Sequence, residues 1–157
     1  MDRDQLLEEL ETSRDAVLAA FDCPREFWDS SYAPGKWTVR QILTHIADTE
    51  LVYYLRFSKA VAEPGTAVEA FDENAWARLE AATRSPSATR AMFDAVREAL
   101  ISRLRGLDDA ALERTVAHPE RGALSARAIL GSASKHGPHH AGQVLAVRDG
   151  KPWQPPV

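Results

Sequence analysis

The chain has 157 residues and a formal net charge of −4, a length that suits one domain spanning 1–157. A core of that size needs neither a disulfide nor a metal merely to fold, so any metal belongs to function. The acidic balance excludes the basic face that nucleic-acid binding requires, and the single cysteine, Cys23, excludes an internal disulfide and points to a reducing compartment.

No apolar stretch follows Met1-Asp2-Arg3-Asp4-Gln5 as in a secretory signal, and no apolar run approaches the ~20 residues of a membrane span. A soluble cytoplasmic protein is expected, with neither nucleic acid nor membrane among its partners. Apolar residues recur at helical intervals almost throughout, and no stretch sustains strand alternation. The first helix covers 3 to 21, with Leu6, Leu10, Ala16 or Val17, and Ala20 inward; Pro24 breaks the chain after it. Tyr32-Ala33-Pro34-Gly35-Lys36 reads as a turn.

Thr38 and Gln41 form a capping box for a second helix running to about Val61, before Pro64-Gly65. Its inner stripe is Val39, Ile42, Ile46, Thr49, Tyr53 and Phe57. His45 and Val52 lie about 60° round from that stripe at ~100° per residue. A short amphipathic piece spans 72 to 82. Ser85 then caps a helix that opens with Pro86 and carries Met92, Phe93, Val96, Leu100, Ile101 and Leu104 to Gly106. Asp108 to Leu112 makes one extra turn, and a connecting loop passes through His118-Pro119-Glu120-Arg121-Gly122. Ser125 caps the last long helix, with Leu124 and Ile129 placed as a hydrophobic staple. Its stripe is Ile129, Ala133, His136, His140, Val144 and Val147, and the tail from Lys151 to Pro156 is irregular. The expected fold is all-α, a four-helix bundle with short extra helical turns.

His136 and His140 carry the chemistry. At i and i+4 on a helix their Cβ atoms stand about 5–6 Å apart, a spacing at which two imidazoles share one metal ion. A helix that starts afresh at Pro138 would spoil that geometry; one that continues through Gly137-Pro138 tolerates a local conflict of the kind enriched at functional sites. His45, in a helix that is a candidate to pack against the last one, completes a working three-histidine site. Three neutral nitrogen ligands leave open coordination positions, a catalytic rather than structural pattern, and suit zinc, nickel, iron or copper.

Around this core, Asp48 and Thr49 are placed a turn from His45, where they could orient its ring or a water. Arg56 lies three turns along the same face, positioned for an anionic substrate group. His139 points about 100° away from His140, toward the margin or the surface. His118 reads as solvated, Trp37 and Trp76 as packing residues, and Cys23 as no nucleophile. No phosphate loop, nucleophile-elbow serine or Cys-x-x-Cys occurs.

Tyr32-Ala33-Pro34-Gly35-Lys36-Trp37-Thr38-Val39-Arg40-Gln41, followed by His45-Ile46-Ala47-Asp48, resembles the DinB-like superfamily. It is most similar to the bacillithiol S-transferase (YfiT-like) branch, also described as metal-dependent hydrolases. Phe71-Asp72-Glu73-Asn74-Ala75-Trp76, His118-Pro119-Glu120 and His136-x-x-x-His140 extend the likeness from about residue 30 to 148. The resemblance implies a four-helix bundle, often a homodimer, with one divalent metal (nickel or zinc, with iron also compatible) on His45, His136 and His140. It also implies a low-molecular-weight thiol such as bacillithiol or mycothiol as a second cofactor, joined to a small-molecule electrophile. Ala133-Ser134-Lys135 stands where that branch often has aromatics, and Gly137-Pro138 and Gly142-Gln143 also depart from it; these differences bear on substrate and thiol. Three functions follow: a metal-dependent thiol S-transferase, a metal-dependent hydrolase, or a non-enzymatic metal-binding stress-response protein.

Overall fold

Each long helix begins where its capping chemistry dictates. In the computed structural model, which describes residues 1–155 apart from the side chain of Glu80, α1 spans Arg3–Phe21 and α2 Val39–Ala62. Asp2 accepts from the Gln5 amide at 2.8 Å while the Gln5 side chain accepts from the Asp2 amide at 2.9 Å. Thr38 and Gln41 repeat the exchange at the start of α2. These reciprocal bonds satisfy amides that a helix N-terminus otherwise leaves orphaned.

The short α3 covers Glu73–Thr83, α4 Pro86–Arg105, the single turn α5 Asp109–Leu112, and α6 Ala126–Arg148. Ser85 caps α4 ahead of Pro86, and Ser125 caps α6 through the Ala128 amide. The irregular tail is seen from Lys151 through Pro155; Pro156 lies outside the described residues.

The four long helices form the bundle, with α1 and α2 each packed against both α4 and α6. The first two helices therefore stand diagonally, and residues 22–38, with a 3₁₀ turn at Arg25–Phe27, connect them. α3 lies against α2. Two apolar clusters fill the interior. One contains Leu6, Leu10, Phe57, Leu100, Leu104 and Ile129; the other contains Val17, Phe21, Ile42, Ile46, Phe93 and Val144.

Arg97 enters the core. On α4 the buried positions are Thr89, Phe93, Arg97, Leu100, Ile101 and Leu104, so the inner face passes through Arg97, with the half-buried Val96 at its margin. Arg97 is fully buried and meets Glu50 of α2 through two bonds, at 2.6 and 2.8 Å. It also donates to the Leu10 carbonyl at 3.0 Å, to Ser13 Oγ, and to the Ala133 carbonyl at 3.1 Å. One guanidinium is thus bonded to α1, α2 and α6 from its place on α4.

The segment expected as a loop is a hairpin, β1 Thr115–His118 paired antiparallel with β2 Gly122–Ser125. Four-residue strands with one fully inward apolar side chain, Val116, are too short for alternation to register. Pairing outside the hairpin sustains them: Val68 donates to the Ala117 carbonyl and Ala117 to the Thr66 carbonyl, each at 2.9 Å. Gly122 turns the chain at φ 68°, a conformation open to glycine at no steric cost. The hairpin lies against α2 and brings His118, Glu120 and Arg121 to a cavity shared with Thr49, Tyr53 and Arg56.

Candidate functional site

Packing of α2 against α6 sets His45 opposite the pair on the last helix. One ring nitrogen from each of His45, His136 and His140 falls within a mutual 4.8 Å, and no Cys, Asp or Glu joins them among the described residues. His45 Nε2 is 3.0 Å from His136 Nε2, and the ring centroids are 4.6 to 4.9 Å apart. Such a group could hold a metal ion.

The i,i+4 pair keeps its alignment because α6 runs unbroken through Pro138. Gly137 has a packing reason to be glycine: an added Cβ would stand 2.7 Å from Val17 Cγ2 of α1, closer than real contacts permit. The glycine lets α6 press on α1 while the neighbouring His136 faces α2.

Two rings are fixed by their outer nitrogens. His140 Nδ1 donates to Gln143 Oε1 at 2.8 Å, and His45 Nδ1 lies 3.3 Å from Thr49 Oγ1. A ring whose Nδ1–H is held by an oxygen presents a bare Nε2 inward, the tautomer that ligates metal. The Trp37 ring lies 4.7 Å from that of His45, its indole N–H held by Asn74 Oδ1, and the Tyr53 ring stands edge-on 5.8 Å from His136. Thr49 is where helical spacing placed it. Gln143 could have been found by the same reasoning, three residues after His140 on one helix. Trp37 packs, as expected of it, but packs on a candidate ligand.

Burial drives the three imidazoles toward neutrality. It pushes His45 down from its ordinary 6.5 to about 3, with His140 adding to the effect. His136 is lowered well below the ordinary value by burial, then by His140, His45, His139 and Arg97. His140 is lowered by burial against the opposing bond to Gln143. All three therefore hold free lone pairs near neutral pH.

The remaining candidates lie further out. Asp48 pairs with Arg84 at 2.6 Å, tying α2 to the turn before α4. His139 rests edge-on against Trp153 of the tail, ring centroids 5.0 Å apart. Arg56 donates to the Glu69 carbonyl at 2.7 Å. His118, expected in solvent, is buried, its Nδ1 accepting from the Glu120 amide at 3.2 Å, because the hairpin folds it inward. Cys23 is buried, and burial pushes its thiol up, away from the reactive thiolate.

Two cavities lie near the group, one reaching His140 and one reaching Thr49 and Tyr53. One of about 310 Å³ is lined by Lys36, Trp37, Asn74, His140 and Gln143. The other, about 160 Å³, lies under the hairpin between Thr49, Tyr53, Arg56, His118 and Arg121.

Comparison with known proteins agrees with this architecture. The sequence profile of the DinB superfamily matches residues 9–144. A protein of Oceanobacillus iheyensis named "putative metal-dependent hydrolase" is 33% identical over 132 residues, covering 84% of this chain and 77% of its own length. A relative of the same name from Bacillus mycoides is 29% identical, covering 96% and 87%. Among solved structures, YfiT of Bacillus subtilis, described as a probable metal-dependent hydrolase with an unusual four-helix bundle topology, superimposes with a TM-score of 0.86 at 28% identity, covering 95% and 88%. A mycothiol-dependent maleylpyruvate isomerase shares the fold with a TM-score of 0.76 at 18% identity, covering 92% and 61%.

Proposed function

The chain belongs to the DinB superfamily, and from that premise we propose that it is a metal-dependent thiol S-transferase. In this reading it joins a low-molecular-weight thiol to a small electrophile, with His45, His136 and His140 as ligands of one divalent ion, nickel or zinc. The observation that carries the reading is the inward convergence of three neutral imidazoles with no fourth protein ligand among the described residues.

The donor set fits such an ion. Tetrahedral zinc–nitrogen bonds of about 2.0–2.1 Å put ligand nitrogens roughly 3.3–3.4 Å apart, a value bracketed by the 3.0 Å contact and the 4.8 Å limit of the group. A divalent ion there supplies a Lewis acid that lowers the pKa of a thiol reaching its open side. Thr49 and Gln143 hold the His45 and His140 rings in register, Trp37 packs against the His45 ring, and a cavity opens beside His140.

Elemental analysis of the purified protein should find close to one divalent ion per chain, and His140→Ala should lose it. Metal-loaded protein should accelerate conjugation of bacillithiol, mycothiol or glutathione to monochlorobimane. Equal rates with metal-free protein for every thiol would sink the transferase reading. The name carried by the relatives favours a second reading, hydrolysis of an ester or amide at the same centre. It predicts turnover without added thiol. A homodimer fits either reading, since Leu55, Trp76 and Leu79 remain exposed beside α2 and α3; a monomeric mass by light scattering would remove it.

A further inference from the structure

We propose that the cavity under the β-hairpin is a carboxylate subsite, in which Arg56 and Arg121 hold the acid group of an elongated ligand whose reacting end lies at the three histidines. The inference rests on the metal reading only for the position of that reacting end.

His45, Thr49, Tyr53 and Arg56 occur at i, i+4, i+8 and i+11 of α2. Eleven steps of ~100° bring Arg56 back to within about 20° of His45. Thr49 and Tyr53 belong to both places: each lines the cavity, Thr49 meets the His45 ring, and Tyr53 meets that of His136. The helix rises ~16 Å between His45 and Arg56, and a long helical side chain leans back toward the N-terminus. The guanidinium is therefore on the order of 10 Å from the histidines.

Arg56 has donor capacity to spare. One terminal nitrogen donates to Glu69, but Nε is buried without a hydrogen-bond partner, which makes an incoming acceptor favourable. Burial lowers its pKa, against the opposing pull of Tyr53, Glu73 and Glu120 and with the neighbouring Arg121 adding to the shift. Neither Arg56 nor Arg121 forms an ion pair with a carboxylate among the described residues.

Glu73 and Glu120 stand on the same rim, both exposed to water that screens them. Their charges disfavour a doubly charged phosphate more than a singly charged carboxylate. The guanidinium fork matches a carboxylate bidentately. A volume of about 160 Å³ suits the head of a small organic acid.

Nickel-loaded protein is titrated with mercaptooctanoate and mercaptooctanol, following the thiolate-to-nickel absorption band. The acid should bind about tenfold more tightly than the alcohol, and Arg56→Gln should erase that preference while leaving mercaptooctanol unchanged. Arg121→Gln should erase part of it. Equal affinities in the native protein, or a preference that survives Arg56→Gln, overturns the subsite. Calorimetric titration of metal-free protein with octanoate keeps the two ideas apart. Saturable binding that Arg56→Gln abolishes supports the subsite even if no thiol yields an absorption band, an outcome that counts against the metal reading alone. Unchanged thermal melting of both variants shows that each still folds.

Discussion

Two polar clusters, one fully buried around Arg97 and one half-buried around the histidines, lie between the apolar halves of this bundle and solve opposite problems. Around Arg97 the chemistry is closed. The guanidinium meets both carboxylate oxygens of Glu50, two carbonyls and the Ser13 hydroxyl, so little donor capacity is left. Around His45, His136 and His140 it is open: outer nitrogens are tied to Thr49 and Gln143 while inner ones crowd together with no acceptor but one another. The same burial that makes an unpaired charge intolerable in the first cluster keeps the second neutral and ready for a cation. A polar core is structural when its valences are consumed inside the protein, and functional when they are held in reserve.

The sharpest way to break the contrast is Arg97→Met. It strands the Glu50 carboxylate and should cost about 3–5 kcal/mol, read by chemical denaturation. Replacing Glu50 with Met as well should recover most of that loss, because a closed network can be exchanged for apolar packing. A double variant as unstable as the single one would show that Arg97 does more than hold the bundle together.

Gly137→Ala tests the backbone beneath the open cluster. With Val17 in the way, overpacking of about 1–3 kcal/mol is expected. The melting temperature should fall by roughly 2–4 °C per kcal/mol, and metal affinity should drop as α6 moves off α1. Gln143→Leu leaves the core intact and frees the His140 ring. A 10–100-fold loss of metal affinity is the usual scale for about one such orienting partner, measured by competition with a chromophoric chelator; Thr49→Val should fall at the lower end.

Protons act on the same open cluster. With His45, His136 and His140 all lowered, the unfolded chain binds more protons than the folded one between its ordinary 6.5 and the folded values, about 3 for His45. Stability of metal-free protein is thus full above 6.5 and declines as pH falls through that window. Melting curves from pH 7 down to about 5 should show the decline, and His45→Phe should flatten it.

The helices were legible because short, local rules set them. Thr38 with Gln41, Ser85 with Pro86, and Ser125 mark starts that the structure reproduces. The histidine pair was legible for the same reason, a spacing within one helix. What escaped depends on partners remote in the chain. The hairpin at 115–125 is sustained by residues 66–68, and the core role of Arg97 is set by Glu50, Ser13 and Ala133, all distant in sequence. His118 was lost with the hairpin that buries it. The His45 contact is intermediate: its helix was a candidate to pack against the last one and the family resemblance agreed, while its own position beside the apolar stripe weakened the signal.

The reach of Arg97 to every long helix bears on how the chain assembles. Any grouping of three helices would leave the guanidinium or its counter-carboxylate without part of its shell, in a place where water cannot make up the difference. Incomplete bundles are therefore penalised at their centre, which favours all-or-none formation. Amide hydrogen exchange under native conditions should show the slowest protons of α1, α2, α4 and α6 released together.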